Sequence, residues 1–387
     1  MKLKDIAEYV TDKISSNAID LDCYVTTDSL LQNKAGREVA VNLPPQVCTL
    51  THFRQGDILI GNIRPYLKKI WMADIDGGCN ADVLVIRAKD GHSPSFIYAL
   101  LLQDAFYEYA MKGAKGSKMP RGDKDQIMRY EIPTLSSTEE SIGKFIVDIR
   151  DKINVLTQIN RNLEAMARQL YDYWFVQFDF PDENGRPYKS SGGKMVWNEK
   201  LKRKIPEGWY AALMKDFLVI GNGKDHKDLE TGIYPVYGSG GLMRYVNDFL
   251  FSGESVLLPR KGSLSNFMYV NEPFWTVDTM FYTKEKLKGA AKYIYYSMRY
   301  VDITRYDSGT GVPSMTSISY YAMPFVKPTN DIVKLFDEIL SPWIAQIKRN
   351  EVQIKNLTKQ RDKLLPMLMN GQVSVMPSEV NCDLSLD

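Results

Sequence analysis

The chain has 387 residues, 44% of them hydrophobic and 25% charged, which is ordinary globular usage with room for two or three cores. Forty-nine basic residues stand against 47 acidic ones, so a net charge of +2 excludes a polycation that coats nucleic acid or an anionic membrane by charge alone. Cys23, Cys48, Cys79 and Cys382 form no CxxC pair, and His52, His92 and His226 lie far apart; neither a disulfide framework nor a zinc ribbon fits, and a reduced, cytoplasmic setting is expected. The charged start Met1-Lys2-Leu3-Lys4-Asp5 and the absence of any run of about 18 apolar residues predict neither a signal peptide nor a membrane span.

In chain order, residues 1–138 read as a mixed α/β domain. Gly56–Ile60, Lys68–Met72 and Ala81–Ile86 are β-branched runs between Gly and Asp turns, and Ser95 to Met111 has helical apolar spacing. A long helix is predicted over 139–178. Ile142, Phe145, Ile149, Ile153, Leu156, Leu163, Met166 and Leu170 fall mostly three and four apart, behind the capping run Ser136-Ser137-Thr138-Glu139. Residues 179–208 contain Asp182–Pro187 and Ser190–Gly193 and read as a polar linker. A second domain over 209–328 repeats the first, with strands at Ser255–Leu258, Phe267–Val270 and Phe274–Val277 and a helix from Lys288 to Tyr300. A second long helix over 329–371 carries Ile332, Phe336, Ile339, Trp343, Ile347, Ile354, Leu357, Leu364 and Leu368; residues 372–387 read as a loose tail.

The chain nearly repeats itself. Gly116-Ser117-Lys118-Met119-Pro120 and Gly309-Thr310-Gly311-Val312-Pro313 stand 193 residues apart, and the segments ending Ile132-Pro133 and Met323-Pro324 stand 191 apart. The fold class expected is therefore α+β: two mixed α/β domains joined by two long helices that form an antiparallel coiled coil. Each helix of roughly 35 residues is about 50 Å long.

Catalytic parts are not recognisable. Gly221–Asp225 lacks the phosphate-loop spacing, Gly238–Gly241 completes no dinucleotide fingerprint, and a carboxylate set built from Asp182 and Asp225 crosses a domain boundary. Leu43-Pro44-Pro45-Gln46 lacks the acid or amide that an amino-methyltransferase places before two prolines. No cofactor and no metal are expected.

DNA contact has better support. Between Lys112 and Arg129 six basic residues face two acidic ones, with glycines that let a backbone approach a phosphate. The candidates are Lys115, Gly116, Lys118 and Arg121 in this loop, Gly309, Thr310, Gly311 and Ser314 in its counterpart, and the basic turns at Arg64, Lys68, Arg260 and Lys261. The aromatic run Leu170 to Phe180 has two readings: a docking surface for a partner protein through Tyr171, Tyr173, Trp174 and Phe175, or a cap where the helix end meets a globular unit.

The run Arg168-Gln169-Leu170-Tyr171-Asp172-Tyr173-Trp174-Phe175-Val176-Gln177-Phe178-Asp179-Phe180-Pro181, with Gly185–Met195 and Ile205-Pro206-Glu207-Gly208-Trp209, resembles the central region of the specificity subunits of type I restriction-modification enzymes. Gly56–Ile60 with Asn62–Tyr66, and Tyr234–Gly241, add to the likeness, which covers essentially the whole chain. The resemblance implies a noncatalytic subunit that reads a split, asymmetric site on double-stranded DNA through two target recognition domains. Its implied partners are two modification (methyltransferase) subunits and restriction (helicase-nuclease) subunits, which carry the chemistry. One departure is that the first domain lacks the Tyr-Pro-Val-Tyr-Gly turn of the second, which implies two subtypes reading different half-sites. A standalone DNA-binding regulator and a coiled-coil scaffold are the rival readings.

Overall fold

The computed structural model describes residues 1–132, 138–309 and 311–375. It divides into two units: Met1–Gln158 with Asn350–Asp387, and Ile159–Arg349. Both divisions fall inside long helices, so each unit holds one strand-rich domain and a half of each helix.

The first domain opens with α1 (Leu3–Ile6) and β1 (Ala7–Tyr9), then β2 (Lys13–Ser15), β3 (Tyr24–Val25), β4 (Thr49–Phe53), β5 (Ile58–Gly61), β6 (Ile70–Met72), β7 (Gly77–Cys79) and β8 (Val83–Ala88). The expected single helix over 95–111 is two, α2 (Pro94–Leu101) and α3 (Asp104–Lys112), and the short α4 (Lys124–Ile127) precedes the long α5 (Glu139–Tyr171). Thr138 accepts from Ser141 N through Oγ1 at 3.2 Å and so caps α5 as its sequence requires; Ser136 and Ser137 lie outside the described residues. After Tyr171 the helix closes in a π turn over Asp172–Val176.

Next come β9 (Met195–Asn198), β10 (Arg203–Pro206), β11 (Tyr210–Leu213), β12 (Leu218–Gly221), β13 (Thr231–Gly238), β14 (Gly241–Val246), β15 (Glu254–Pro259), β16 (Met268–Asn271), β17 (Trp275–Thr276), β18 (Met280–Glu285), α6 (Ala290–Ser297), α7 (Ser317–Tyr321), β19 (Pro324–Lys327) and the long α8 (Asn330–Met369).

The repeat is realised strand for strand. The main sheet of the first unit has the order β1-β8-β5-β6, that of the second β12-β18-β15-β16, all neighbours antiparallel. Both sheets are covered on both faces, because alternate residues of a strand point to opposite sides. In β5, Ile58 and Ile60 face the helices while Leu59 packs with Val25, Phe53 and Trp71; in β15, Val256 and Leu258 face the helices while Leu257 packs with Val270 and Phe274. On the helical side of the first unit, Ile142 and Ile146 of α5 share a core with Leu365, Leu368 and Met369 of α8. In the second unit α5 and α8 run antiparallel: Asn160 Nδ2 donates to Ile347 O at 3.4 Å, and the ring of Tyr171 meets that of Phe336 at 6.1 Å. Each domain is also closed in the same way. Lys2 bridges to Glu131 in the first, and Leu213 pairs with Pro324 in the second.

The smaller sheets differ. The first unit carries β2-β4-β7-β3, the second β14-β13-β17, which contains the Tyr234–Gly238 strand.

Residues 179–208 differ from the expected polar connection. They hold the β9–β10 hairpin, and Phe178, Phe180 and Ile205 are buried against Trp209, whose ring stacks on Phe180 at 4.6 Å. Glycines and charges around these apolar residues hide them from a reading by composition. The expected tail is described only as far as Val375.

Candidate DNA interface

In the first unit β5 ends at Gly61, and the chain turns through Asn62, whose N–H donates to Asp82 O at 2.9 Å. Arg64 sits in the left-handed region at φ 53° and donates its N–H to Pro120 O at 2.7 Å. The loop that follows α3 thereby lies against this turn. Lys115 and Arg121 exchange backbone hydrogen bonds, each 2.9 Å, Ile63 bridges to Arg121, and Gly122 N donates to Asn62 O at 3.2 Å. Gly116 makes the bend at φ 98°, where a Cβ is strained and would also press on Met119 O. Asp123 then starts α4, its Oδ1 accepting from Gln126 N at 3.0 Å; that bond, first among its causes, holds the Asp123 carboxyl below the usual range.

The second unit builds the same object. Arg260 follows β15, Lys261 bridges to Ser314, Gly262 N donates to Pro313 O at 3.0 Å, and Met315 N donates to Arg260 O at 2.8 Å. Thr316 starts α7, accepting from Ser319 N at 3.0 Å. Asp123 and Thr316 stand 193 residues apart, as do Arg121 and Ser314. Two sequence-distant candidates in each unit thus become one surface: Arg64 with Lys115–Arg121, and Arg260–Lys261 with Gly309–Ser314. Thr310 lies outside the described residues.

The cations differ in availability. Lys115 is 85% exposed and 3.4 Å from Asp123; Arg121 is 61% exposed and 3.0 Å from Asp82. Exposed pairs of this kind are worth at most about 1 kcal/mol, so a phosphate can replace the carboxylate at little cost. Lys118, Arg260 and Lys261 are exposed. Lys68 is committed elsewhere, 2.9 Å from Asp104, which Lys34 also meets at 2.7 Å. Burial pushes the Asp104 carboxyl up, but hydrogen bonds from the two lysines outweigh it and leave it below the usual range. Arg64 is half-buried, and its Nε has no hydrogen-bond partner among the described residues.

Two expectations need correction. The backbone donors of the second loop are not free for a phosphate, since Gly309 N and Ser314 N both donate to Asp307 Oδ1 at 2.8 Å, and these bonds hold the Asp307 carboxyl below its usual range. Gly311, with open space around it, remains accessible. The aromatic run is a packed cap, not a docking surface. Tyr171, Trp174 and Phe175 are buried, Tyr171 Oη bonds Ser297 Oγ at 2.8 Å, and Phe175 meets Phe336 at 5.0 Å; Tyr173 alone of the four is substantially exposed, at 36%. Four aromatics at one helix end are too many for a seam, and within the π turn Trp174 and Phe175 are buried in the domain core.

Sequence reasoning missed Asn62 and Asp307, which hold the loops, and Ser239, which accepts from Asn266 Nδ2 at 2.8 Å and would lie 3.1 Å from a Cβ on Gly262. The two helix starts, Asp123 with Gln126 and Thr316 with Ser319, were findable from their equal offset.

This architecture has known counterparts. The profile described as Type I restriction modification DNA specificity domain matches residues 206–358. The Type I restriction enzyme MjaIX specificity subunit of Methanocaldococcus jannaschii is 24% identical over 85% of this chain and 80% of its own. Along most of its length the chain is thus similar to type I restriction-modification specificity subunits. The Type I restriction enzyme HindI specificity subunit of Haemophilus influenzae is 20% identical over 96% of this chain and 98% of its own. The crystal structure of a type I restriction-modification system S subunit from M. genitalium shares the fold, with a TM-score of 0.65 and 15% identity over 95% of both chains. Among the described residues no group of His, Cys, Asp and Glu could hold a metal, and no helix is long and apolar enough to cross a membrane.

Proposed function

We propose that this chain is a noncatalytic DNA-reading subunit: each strand-rich domain reads one half of a split, asymmetric site, and the chain recruits modification and restriction subunits that carry the chemistry. The observation that carries this reading is the pinned loop pair built twice at a 193-residue offset, each copy edged by exposed cations. Phosphate contacts from such cations position a protein without specifying sequence, and side chains on the same loops reach base edges. The difference between the two smaller sheets supports two different half-sites. With a net charge of +2, much of the grip on the phosphates falls to partners.

The test is a map of methylated bases in the host genome with and without this chain. The reading expects one bipartite motif that vanishes on deletion. A standalone regulator would leave the methylation map unchanged and bind its site without partners; a scaffold would leave the map unchanged and bind no site. The long helices are the ruler in this reading. Four residues, about one helical turn, inserted between Gln158 and Asn162 lengthen the preferred gap between half-sites while both half-site sequences stay the same. An unchanged gap would refute the ruler and leave the readers standing.

A further inference from the structure

Met119 is 51% exposed and Val312 is 62% exposed, and each immediately precedes the proline of its loop, 193 residues apart. Singly exposed apolar side chains are common and need no explanation. Here the two loops share one backbone bond, Lys115 N to Arg121 O and Ser308 N to Ser314 O, each 2.9 Å, but differ in sequence, and the second adds the Asp307 clasp; both put a large apolar side chain in solvent at the same place. The residue before a proline is held extended, so each side chain stands on a stiff stem. Around Met119 the rim is cationic, with Lys115, Lys118 and Arg121; across the Lys261–Ser314 bridge from Val312 it is Arg260 and Lys261. An apolar tip inside a cationic rim is the complement of a DNA groove, where phosphates line the edges and the floor offers one apolar group, the thymine C5-methyl.

We propose that Met119 and Val312 are specificity-determining residues, each making an apolar contact to a thymine methyl in the half-site that its own domain reads. This rests on the DNA-reading function proposed above. Losing such a contact removes roughly one buried methyl, a factor of about four in preference.

The experiment uses the chain assembled with its modification subunits, the variants Met119→Gln and Val312→Thr, and synthetic duplexes carrying the methylated motif of the wild-type complex. Replacing thymine by uracil deletes only the methyl and leaves the protein untouched. The expected result is that uracil at one position of each half-site lowers wild-type methylation about fourfold, that Met119→Gln abolishes this sensitivity in one half-site alone, and that Val312→Thr abolishes it only in the other. No thymine position sensitive to uracil, or sensitivity that persists in both variants, would overturn the inference while the split motif stands. Equal loss on every duplex, uracil or thymine, would place the two side chains against a partner protein instead and overturn it as well. A wild-type complex with no split motif would sink the function itself, and this inference with it.

Discussion

The two units join a helix of the domain to a long helix by the same seam and fill it with opposite chemistry. In the first, the start of α2 meets α5 at Gly143, where a Cβ would come within 2.4 Å of Ser95 Oγ and 2.5 Å of Phe96 N; His92 Nδ1 lies 3.1 Å from Glu139 Oε1 at the edge. In the second, the glycine has changed sides. Gly289, at φ 84°, caps α6 and would press a Cβ to 2.8 Å from Cβ of Asp337 on α8. Beside it Lys292, 1% exposed, meets Asp337 and lies 2.9 Å from Glu254. Close approach is therefore what both seams need, and it constrains the backbone more than it constrains which side supplies the glycine. The chemistry beside the glycine is free to differ: a half-exposed hydrogen bond in one unit, a buried ion cluster in the other.

The largest expected effect breaks this symmetry. Lys292→Met strands two carboxylates, one nearly buried, and removing one partner of a buried pair costs about 3–5 kcal/mol. His92→Ala, at the matching place in the first unit, removes one partly exposed hydrogen bond and costs about 1 kcal/mol. Urea unfolding of both variants measures the contrast, and equal losses would show that the two seams are energetically alike.

Next in size is the exchange of glycines. Gly143→Ala gains about 1 kcal/mol of helix propensity, but its Cβ meets backbone that cannot step aside, so overpacking of about 1–3 kcal/mol wins. Gly289→Ala gains nothing in return, because its φ is left-handed. Thermal melting is expected to rank Gly289→Ala as the more damaging. The reverse order would mean that the α2–α5 approach, not the turn at α6, is the tighter constraint.

Much of this was legible because it is periodic or repeated. The apolar steps over 139–171 and 330–369, the strand at Ile58–Ile60, and the Pro120 and Pro313 loops all follow from spacing. What could not be read depends on distant partners. Lys68 looks like a free cation until Asp104, at the start of α3, is placed beside it. Gly309 and Ser314 look like phosphate donors until Asp307 is seen to take both N–H groups. Trp174 and Phe175 look like a docking patch, since a π turn leaves no sequence signature and it alone decides which way they face. Lys292 drew no attention, because the cluster that gives it meaning comes from β15 and α8.

The smallest effect tests whether the ion cluster of the second unit is in balance. Lys292 faces Glu254 and Asp337, with the ring of Tyr269 5.6 Å from its ammonium, and Glu285 lies nearby, its Oε1 accepting from Ala291 N at 2.7 Å. Burial is the main cause that holds the Glu285 carboxyl above its ordinary value of 4.5, and Glu254 and Asp337 add to it; the hydrogen bond from Ala291 N and the attraction of Lys292 pull the other way without offsetting it. A carboxyl raised in the folded state opposes folding when ionised. Its cost is complete above the folded pKa and disappears as the pH falls to the unfolded value. Glu285→Gln keeps an oxygen to accept from Ala291 N and removes the charge, so the melting temperature is expected to rise slightly at pH 7 and to match the parent near pH 4. A lower melting temperature at pH 7 would show that Lys292 needs all three carboxylates. The seam of the second unit would then be an electrostatic lock in full, whereas the first holds with a single hydrogen-bonded edge.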